Sequence, residues 1–353
     1  MDQIYGLDEL NRRVLDKGLC ASCGACVGGC PYVTAFKGRA VALHRCTVEH
    51  GRCFAYCPMT FFDPEAAARM VFGTPVQTDG IGHYEKVAAS RSADAGIAEA
   101  GQGGGTVTSL MIAAMNSGMI DAAVLTGPVP GESRGQGMIA ADVQEITSCC
   151  GSKFTGSHSL SVLREALDRG FRRIGIVGLP CQIRSLRKMA LYDIKQERLG
   201  ERIVLVIGLF CNWAFSARDF SEFLAKEFDL GRIEKIDIPP PPAQVLEVTT
   251  QGGTVNIPLD RVRPMIQAAC QDCPDMTSEF ADLSVGMYEG RPGWNTLITR
   301  TATGEGLVRE AAAGGHLELD VFPHENLRHL TAAADRKRSR AFEQPAQRDL
   351  RPT

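Results

Sequence analysis

Residues 20–31 read CASCGACVGGCP, and a shorter run, CFAYCP, follows at 53–58. The first run sets Cys20, Cys23 and Cys26 two residues apart, then Cys30 three further on, with Pro31 behind it. That spacing wraps a short chain around a cubane iron–sulfur cluster. A tight loop turns three sulfurs inward, and the fourth, before proline, is carried away to another cluster. Structural zinc sites more often show two separated pairs. A disulfide framework belongs to small secreted chains, whereas this chain has 353 residues, thirteen of them cysteine. The pattern is that of a protein that moves electrons.

In two-cluster ferredoxins both halves repeat the same run. Here the second half reads Cys46-x2-Glu49-x3-Cys53-x3-Cys57-Pro58, so Glu49 stands where the middle thiolate would be. Crossed ligation gives one full set, Cys20, Cys23 and Cys26 with Cys57. The other set has three thiolates, Cys30, Cys46 and Cys53. Its site admits a three-iron cluster, a four-iron cluster completed by Glu49, His50 or a distant cysteine, or no cluster at all. A carboxylate or imidazole ligand would change the potential.

Composition is ordinary: 44% hydrophobic, 22% charged, formal net charge −3. No strong field of either sign points to nucleic acid. The first residues, MDQIYGLDELNRRVLDKG, mix acids with bases and lack the apolar stretch of a signal peptide. The apolar runs near 108–115 and 203–211 fall short of the roughly 18 residues that read as a membrane span, so no transmembrane segment is expected. Reduced thiols imply a cytoplasmic setting.

Residues 1–60 read as a small metal-nucleated module preceded by an amphipathic helix, Leu7 to Leu15. A connector follows over 61–82, broken by Gly73, Pro75, Gly80 and Gly82. From about 83 the pattern turns to α/β alternation. Helices are expected at Thr106–Asn116, Ser159–Arg169, from Pro180 to about Met189 and at 219–228. Strands are expected at 121–126, 173–177 and 203–209. Pro239 to Pro242 break the pattern before a hairpin, 245–250 and 254–259, turned by Gln251-Gly252-Gly253. Two last strands are expected at 282–288 and 293–299. The tail, 323–353, is charged and polar and reads as loose.

Gly103-Gly104-Gly105 stands directly before the helix that starts at Thr106. It sets bare amides beside a positive helix end, which suits a phosphate, although a flexible loop has the same letters. It is neither a GxGxxG fingerprint nor a Walker A loop. Lys153, in the loop Cys149-Cys150-Gly151-Ser152-Lys153, is either a surface lysine or a cation for a reduced flavin or a phosphate. Cys181 and Cys211 each follow a strand expected to be parallel, at the edge where open α/β sheets bind ligands. Lone cysteines there are usually structural. With Cys270 and Cys273 they make four thiols available to another cubane site. His158 is a proton donor, or more simply a helix cap or surface residue.

Residues 83–322 resemble the beta subunit of coenzyme F420-reducing hydrogenases and dehydrogenases. The resemblance rests on Gly103 to Thr108, Gly151-Ser152-Lys153-Phe154, Gly178-Leu179-Pro180-Cys181-Gln182-Ile183 and Gly208-Leu209-Phe210-Cys211. It continues through Cys270-x2-Cys273-Pro274, Ala281 to Gly286 and Gly293-Trp294-Asn295-Thr296. It implies an α/β (α+β) flavin-binding core of two lobes, with regions 83–165 and 166–322, behind a small ferredoxin-like iron–sulfur domain. It implies a non-covalent FAD held by Gly103, Gly104, Gly105, Thr106 and Lys153. A [4Fe-4S] cluster would sit on Cys181, Cys211, Cys270 and Cys273, with Cys149 and Cys150 as competitors for one ligand position. Two or three clusters are then expected in all, one N-terminal site being a candidate [3Fe-4S].

Two departures matter: Gly103 replaces the family's serine, and the second N-terminal half lacks its middle cysteine. An N-terminal ferredoxin segment joined to this core is similar to the electron-input subunit of F420H2 dehydrogenases and to ferredoxin-linked members. The expected activity is that of a flavo-iron–sulfur oxidoreductase. It would exchange a hydride between FAD and a deazaflavin or other small substrate, and relay single electrons to a redox partner, a ferredoxin or a larger complex. Two other readings stay open: a ferredoxin-dependent reductase of a tetrapyrrole-type substrate, and a non-enzymatic electron-transfer subunit.

Overall fold

The computed structural model describes residues 4–194, 198–240 and 242–343; Pro241 in the proline run and tail residues 344–353 lie outside it. Its centre is an eight-stranded mixed sheet. The strands, in chain order, are β1 (Val33–Phe36), β2 (Arg39–Ala42), β3 (Lys86–Ser92), β4 (Ala122–Pro128), β5 (Gly135–Ala140), β6 (Ile174–Gly178) and β7 (Ile203–Leu209). There follow β8 (Ile233–Asp237), β9 (Val245–Thr250), β10 (Gly253–Pro258), β11 (Leu283–Met287), β12 (Asn295–Thr299) and β13 (Leu317–Val321). The large sheet runs β13-β3-β12-β11-β7-β6-β4-β5. Four adjacent strands, β11, β7, β6 and β4, are parallel. Helices on both faces bury them, which is why they read as continuous apolar runs such as Ile203 to Leu209.

Residues 83–165 and 166–322 do not form separate halves in this sheet. β3 lies between β12 and β13, and β4 pairs with β6. An inner strand must satisfy backbone groups on both edges, and β3 finds both of its neighbours far ahead in the chain. A second, smaller layer is the antiparallel sheet β10-β9-β8. It packs Leu246, Val248 and Ile257 with Phe215, Phe220 and Leu224.

The N-terminal module holds the hairpin β1–β2 and helical turns at Leu7–Leu10 and Asn11–Leu15. The expected helix is therefore present, its second part wound as a π-turn. Leu7, Leu10 and Val14 are buried beneath it. The connector is less open than its glycines imply. Asp63 caps a helix, Pro64–Phe72, that ends at Gly73 in the left-handed region. Fully buried Arg300 then donates to the carbonyl oxygens of Ile81 and His83 and to Thr277, tying the connector to the sheet.

The expectation of a loose tail fails over 324–343, which form a 20-residue helix. Its polar composition hid a docking face: Ala334, Lys337 and Ala341 are buried. Lys337 Nζ donates to the carbonyl oxygens of Cys211 and Asp275 at 2.6 and 2.8 Å. Arg338 pairs with Glu279.

Candidate functional site

Thirteen free thiols occupy the chain, and none is paired in a disulfide. Eleven of them fall into three neighbouring groups, each assembled by a different local device.

The loop of Cys20, Cys23 and Cys26 turns through Ser22, Gly24 and Gly28, all at positive φ. It lies directly on residues 158–161, where Leu160 N donates to the Cys23 oxygen at 3.2 Å. A Cβ on Gly24 would meet the His158 oxygen at 2.7 Å, and one on Gly28 the Ser161 oxygen at 2.1 Å. Cys57 arrives from the turn after Arg52–Ala55. Burial raises the Cys26 thiol well above its usual range, and Cys23, Cys57 and Cys20 add to the shift. Cys57 is pushed up to about 12 by burial, with Cys23 next to it and Lys188 opposing.

Cys53 is raised to about 11, by burial first and then by Cys30 and Cys46. These shifts make the N-terminal thiols mutual neighbours, with Cys53 reaching Cys26 as well as Cys30 and Cys46. Cys26 lines a small cavity together with Cys30 and Cys53. His50 Nδ1 contacts the Ile4 oxygen at 2.6 Å, and Glu49 is exposed.

The third group is Cys181, Cys211, Cys270 and Cys273. Cys181 sits in the first turn of helix Pro180–Tyr192 after β6. Gln182 anchors that turn, accepting from Leu179 N at 2.7 Å and donating to the Ser157 oxygen at 3.1 Å. Cys211 follows β7, and the Ala214 amide donates to the Cys270 sulfur at 3.3 Å. Burial raises the Cys181 thiol well above its usual range, and Cys23, Cys273, Cys211 and Cys270 push it further. Cys23 therefore links this group to the first, as Cys53, acting on Cys26, links the first to the second.

No three His, Cys, Asp or Glu side chains among the described residues meet closely enough to hold one ion. The sulfurs are neighbours without converging on a point, unlike a tetrahedral zinc site at ~2.3 Å radius. Buried thiols with raised pKa hold their protons, so any metal binding there must expel them.

Cations that the sequence reading overlooked lie between the groups. Lys188 Nζ donates to the Cys57 oxygen at 2.6 Å, to Thr60 Oγ1 and to the Phe61 oxygen at 2.7 Å. Burial drives its pKa down to about 7. Arg184 is buried beside Cys273, Asp275, Cys57 and Cys181, and burial lowers its pKa. The basic character of residues 180–189 was the one visible sign of either. For Lys337, burial alone would lower the pKa, but Cys273, Cys211, Asp275 and Cys270 hold it above its usual value.

Beside the third group opens a cavity of about 660 Å³, the size of a cofactor pocket. Gly103, Gly105, Thr106 and Lys153 line it, together with Cys149, Cys150 and Cys211. Gly104 does not. It takes φ +119, where a Cβ would lie 2.4 Å from the Gly293 oxygen, so only glycine lets the loop close on Gly293. Gly105 caps helix Thr106–Asn116 with no side-chain acceptor, and Thr106 Oγ1 turns inward to Ser90. Lys153 Nζ donates to the Cys150 and Gly151 oxygens at 3.3 and 3.0 Å, its pKa lowered by burial. Helix His324–Glu343 supplies a wall through Asn326, His329, Leu330 and Ala333, which the reading of the tail had missed.

Cys149 and Cys150 line the cavity together with Cys211. The Cys149 sulfur faces Met138, and Thr108 Oγ1 donates to the Cys150 sulfur at 3.4 Å. His158 caps nothing through its side chain. Burial, with Arg134 adding, drives its pKa to about 4. It is not among the residues that line the cavity.

Comparison with known proteins gives a consistent picture. Residues 87–164 match the family model described as coenzyme F420 hydrogenase/dehydrogenase, beta subunit N-term, and residues 171–324 match its C terminus. The chain is 31% identical to the coenzyme F420 hydrogenase subunit beta of Methanothermobacter thermautotrophicus over 67% of its own length and 85% of that protein. It is 29% identical to the coenzyme F420-dependent sulfite reductase of Methanocaldococcus jannaschii over 92% of its length, spanning about half (52%) of that protein. It is 28% identical to an F(420)H(2) dehydrogenase component of Methanosarcina mazei, over 83% of this chain and 82% of that one. A chain in the F420-reducing [NiFe] hydrogenase complex from Methanosarcina barkeri superimposes with a TM-score of 0.68 at 28% identity, covering 74% of this chain and 92% of the other. The sulfite reductase match is too long to omit the N-terminal cysteines as a whole.

Proposed function

This chain belongs to the coenzyme F420 hydrogenase/dehydrogenase beta subunit family, and from that membership we propose that it is a flavin- and iron–sulfur-dependent oxidoreductase subunit. Its hydride partner is a deazaflavin of the F420 kind, and it relays single electrons to a partner protein. One observation carries the reading. Cys211 belongs to the cavity wall and to the third thiol group at once, so whatever binds in the cavity adjoins a sulfur site.

Bound there, FAD would supply the conversion between a two-electron hydride and the single electrons that cubane clusters carry. The chain's own residues suit that guest. The Gly103–Gly105 turn before helix Thr106–Asn116 suits a phosphate, although the Thr106 amide is already taken by Asn295 Oδ1 at 3.4 Å. Lys153 lines the same cavity as a cation held on two backbone oxygens. Apolar side chains such as Met111, Leu125 and Phe210 leave room for a flat ring and keep water out.

The three thiol groups lead away from the cavity in sequence: Cys181–Cys211–Cys270–Cys273, then Cys20–Cys23–Cys26–Cys57, then Cys30–Cys46–Cys53. The first two are donor sets of four, suited to [4Fe-4S] clusters; the last, with three thiols, suits a [3Fe-4S] cluster or a four-iron cluster with a non-cysteine ligand. Reduced thiols of this kind call for a reducing, cytoplasmic environment. Relatives named for F420 chemistry favour a deazaflavin over a tetrapyrrole.

Anaerobic purification with iron, sulfide and flavin counts tests this, followed by reduction with F420H2. More than four irons and one FAD per chain are expected, with spectral reduction of both by the deazaflavin. Cys57→Ala should remove about one cluster and leave flavin. Stoichiometric zinc without a yellow cofactor would refute the proposal.

A further inference from the structure

The last thiol group lies at a surface unlike the rest of the molecule. Around Cys30, Cys46 and Cys53 the residues Pro31, Tyr32, Leu43, His44, Arg45 and Val48 are exposed. Of the twelve large hydrophobic side chains that stand exposed among the described residues, five belong to the first 48 positions: Tyr5, Tyr32, Phe36, Leu43 and Val48. Leu43 and Val48 are each 53% exposed. Tyr5, Tyr32, Leu43 and Val48 gather about the sulfurs, whereas Phe36 stands at the hairpin tip, where Gly38 packs on Ala217. Leu43 N donates to the Tyr32 oxygen at 2.8 Å, beside Cys30, and Gly51, which packs on the Cys53 sulfur, donates to the Tyr5 oxygen at 3.0 Å.

The charge of this face runs against that of the chain. Residues 4–57 carry seven Lys and Arg against four Asp and Glu, a balance of +3, while the whole chain has net charge −3. Arg39 and Arg45 are exposed and form no ion pair with a described residue. Solvated apolar side chains inside a ring of one charge sign are the anatomy of a small transient interface.

We propose that this apolar, cationic face around Cys30, Cys46 and Cys53 is the docking site for a small acidic electron-transfer protein. The inference rests on the electron-relay reading above and adds the exit point and the sign of the partner. Each encounter passes one electron outward, oxidising the site on this chain and reducing the partner's oxidised centre by one. A second copy of the chain would bring the same positive charge to the face. The chain's own residues 344–353, with Arg348 and Arg351 against Asp349, bring no net negative charge to the face.

The test uses full-length protein reduced by dithionite, which needs no hydride donor, with an acidic two-cluster ferredoxin and a small uncharged quinone as alternative acceptors. In Arg39→Glu/Arg45→Glu the rate constant to the ferredoxin should fall about tenfold, and its steep decline with added salt should flatten. Leu43→Ser should lower the rate without changing the salt slope. Both variants should keep their iron, their mass in solution and their rate to the quinone. Unchanged ferredoxin rates and salt slopes in iron-replete variants would overturn the docking face and leave the relay reading standing. Wild-type protein that dimerises, with variants that become monomers at an unchanged rate, would assign the face to a second copy and overturn the proposal. Iron-free wild-type protein would instead sink the relay reading itself.

Discussion

The Lys188 ammonium donates to the main-chain oxygen of Cys57 at 2.6 Å, across an interface between the core helix Pro180–Tyr192 and the N-terminal module. All three of its protons are used, the others going to Thr60 Oγ1 and the Phe61 oxygen. One buried side chain thereby fixes the turn that delivers Cys57 to Cys20, Cys23 and Cys26.

Lys188→Met should destabilise the protein by about 2 kcal/mol, because Thr60 Oγ1 and the Phe61 oxygen lose a donor while the Cys57 oxygen keeps Thr60. The thermal midpoint should fall, and about one cluster's iron should be lost with it. A variant with full iron and an unchanged midpoint would show that the contact holds nothing in place.

Gly28→Ala tests the seat of the cysteine loop. The new methyl would approach the Ser161 oxygen at 2.1 Å, in a backbone conformation that favours glycine. The N-terminal module should loosen, read as faster proteolysis within residues 1–60 and lower iron content, with flavin retained. Gly18→Ala is the control for positive φ alone, because nothing lies within 4 Å of its Cβ position.

Acid stability should depend on His158. Its folded pKa, about 4, lies below the usual 6.5, and its Nε2 is buried without a partner among the described residues. Between these values the unfolded chain binds a proton that the folded chain refuses. Stability is therefore complete above pH 6.5 and declines as pH falls toward 4, by at most about 3 kcal/mol. His158→Asn should flatten that decline in a denaturation series from pH 7 to pH 4; an unchanged slope would assign it to other groups.

Lys337→Met removes a buried positive charge beside Cys211 and Cys273. At ~6 Å and an effective dielectric near 20, such a charge contributes roughly 3 kcal/mol. The cluster proposed on Cys181, Cys211, Cys270 and Cys273 should become harder to reduce by on the order of 100 mV. Lys337→Arg should restore most of the shift. An anaerobic potential titration read by EPR measures both, and equal potentials in all three proteins would remove Lys337 from the electrostatics of the site.

Much of this was written along the chain. Helix Thr106–Asn116, strand Ile203–Leu209 and the hairpin β9–β10 stand where period and turn residues put them. Local preferences and the tertiary environment agree there. The crowding of seven cysteines into one N-terminal module was legible too, because short loops keep those sulfurs near one another. The tail helix was not. Lys337 reads as one more polar residue until Cys211, 126 positions away, offers its carbonyl oxygen. Nor did any local pattern announce that β3 would lie between β12 and β13.

The sequence by itself determined the thiol spacing, the order of strands and helices, and the glycine loop, since each depends on neighbours a few residues apart. Only the tertiary structure decided that Cys211 would share its place with a cavity, that Lys188, Arg184 and Lys337 would be buried among the sulfurs, and that a polar tail would become a wall. Those outcomes depend on which distant backbone groups and charges are left needing partners once the sheet has formed, and that demand has no local signature.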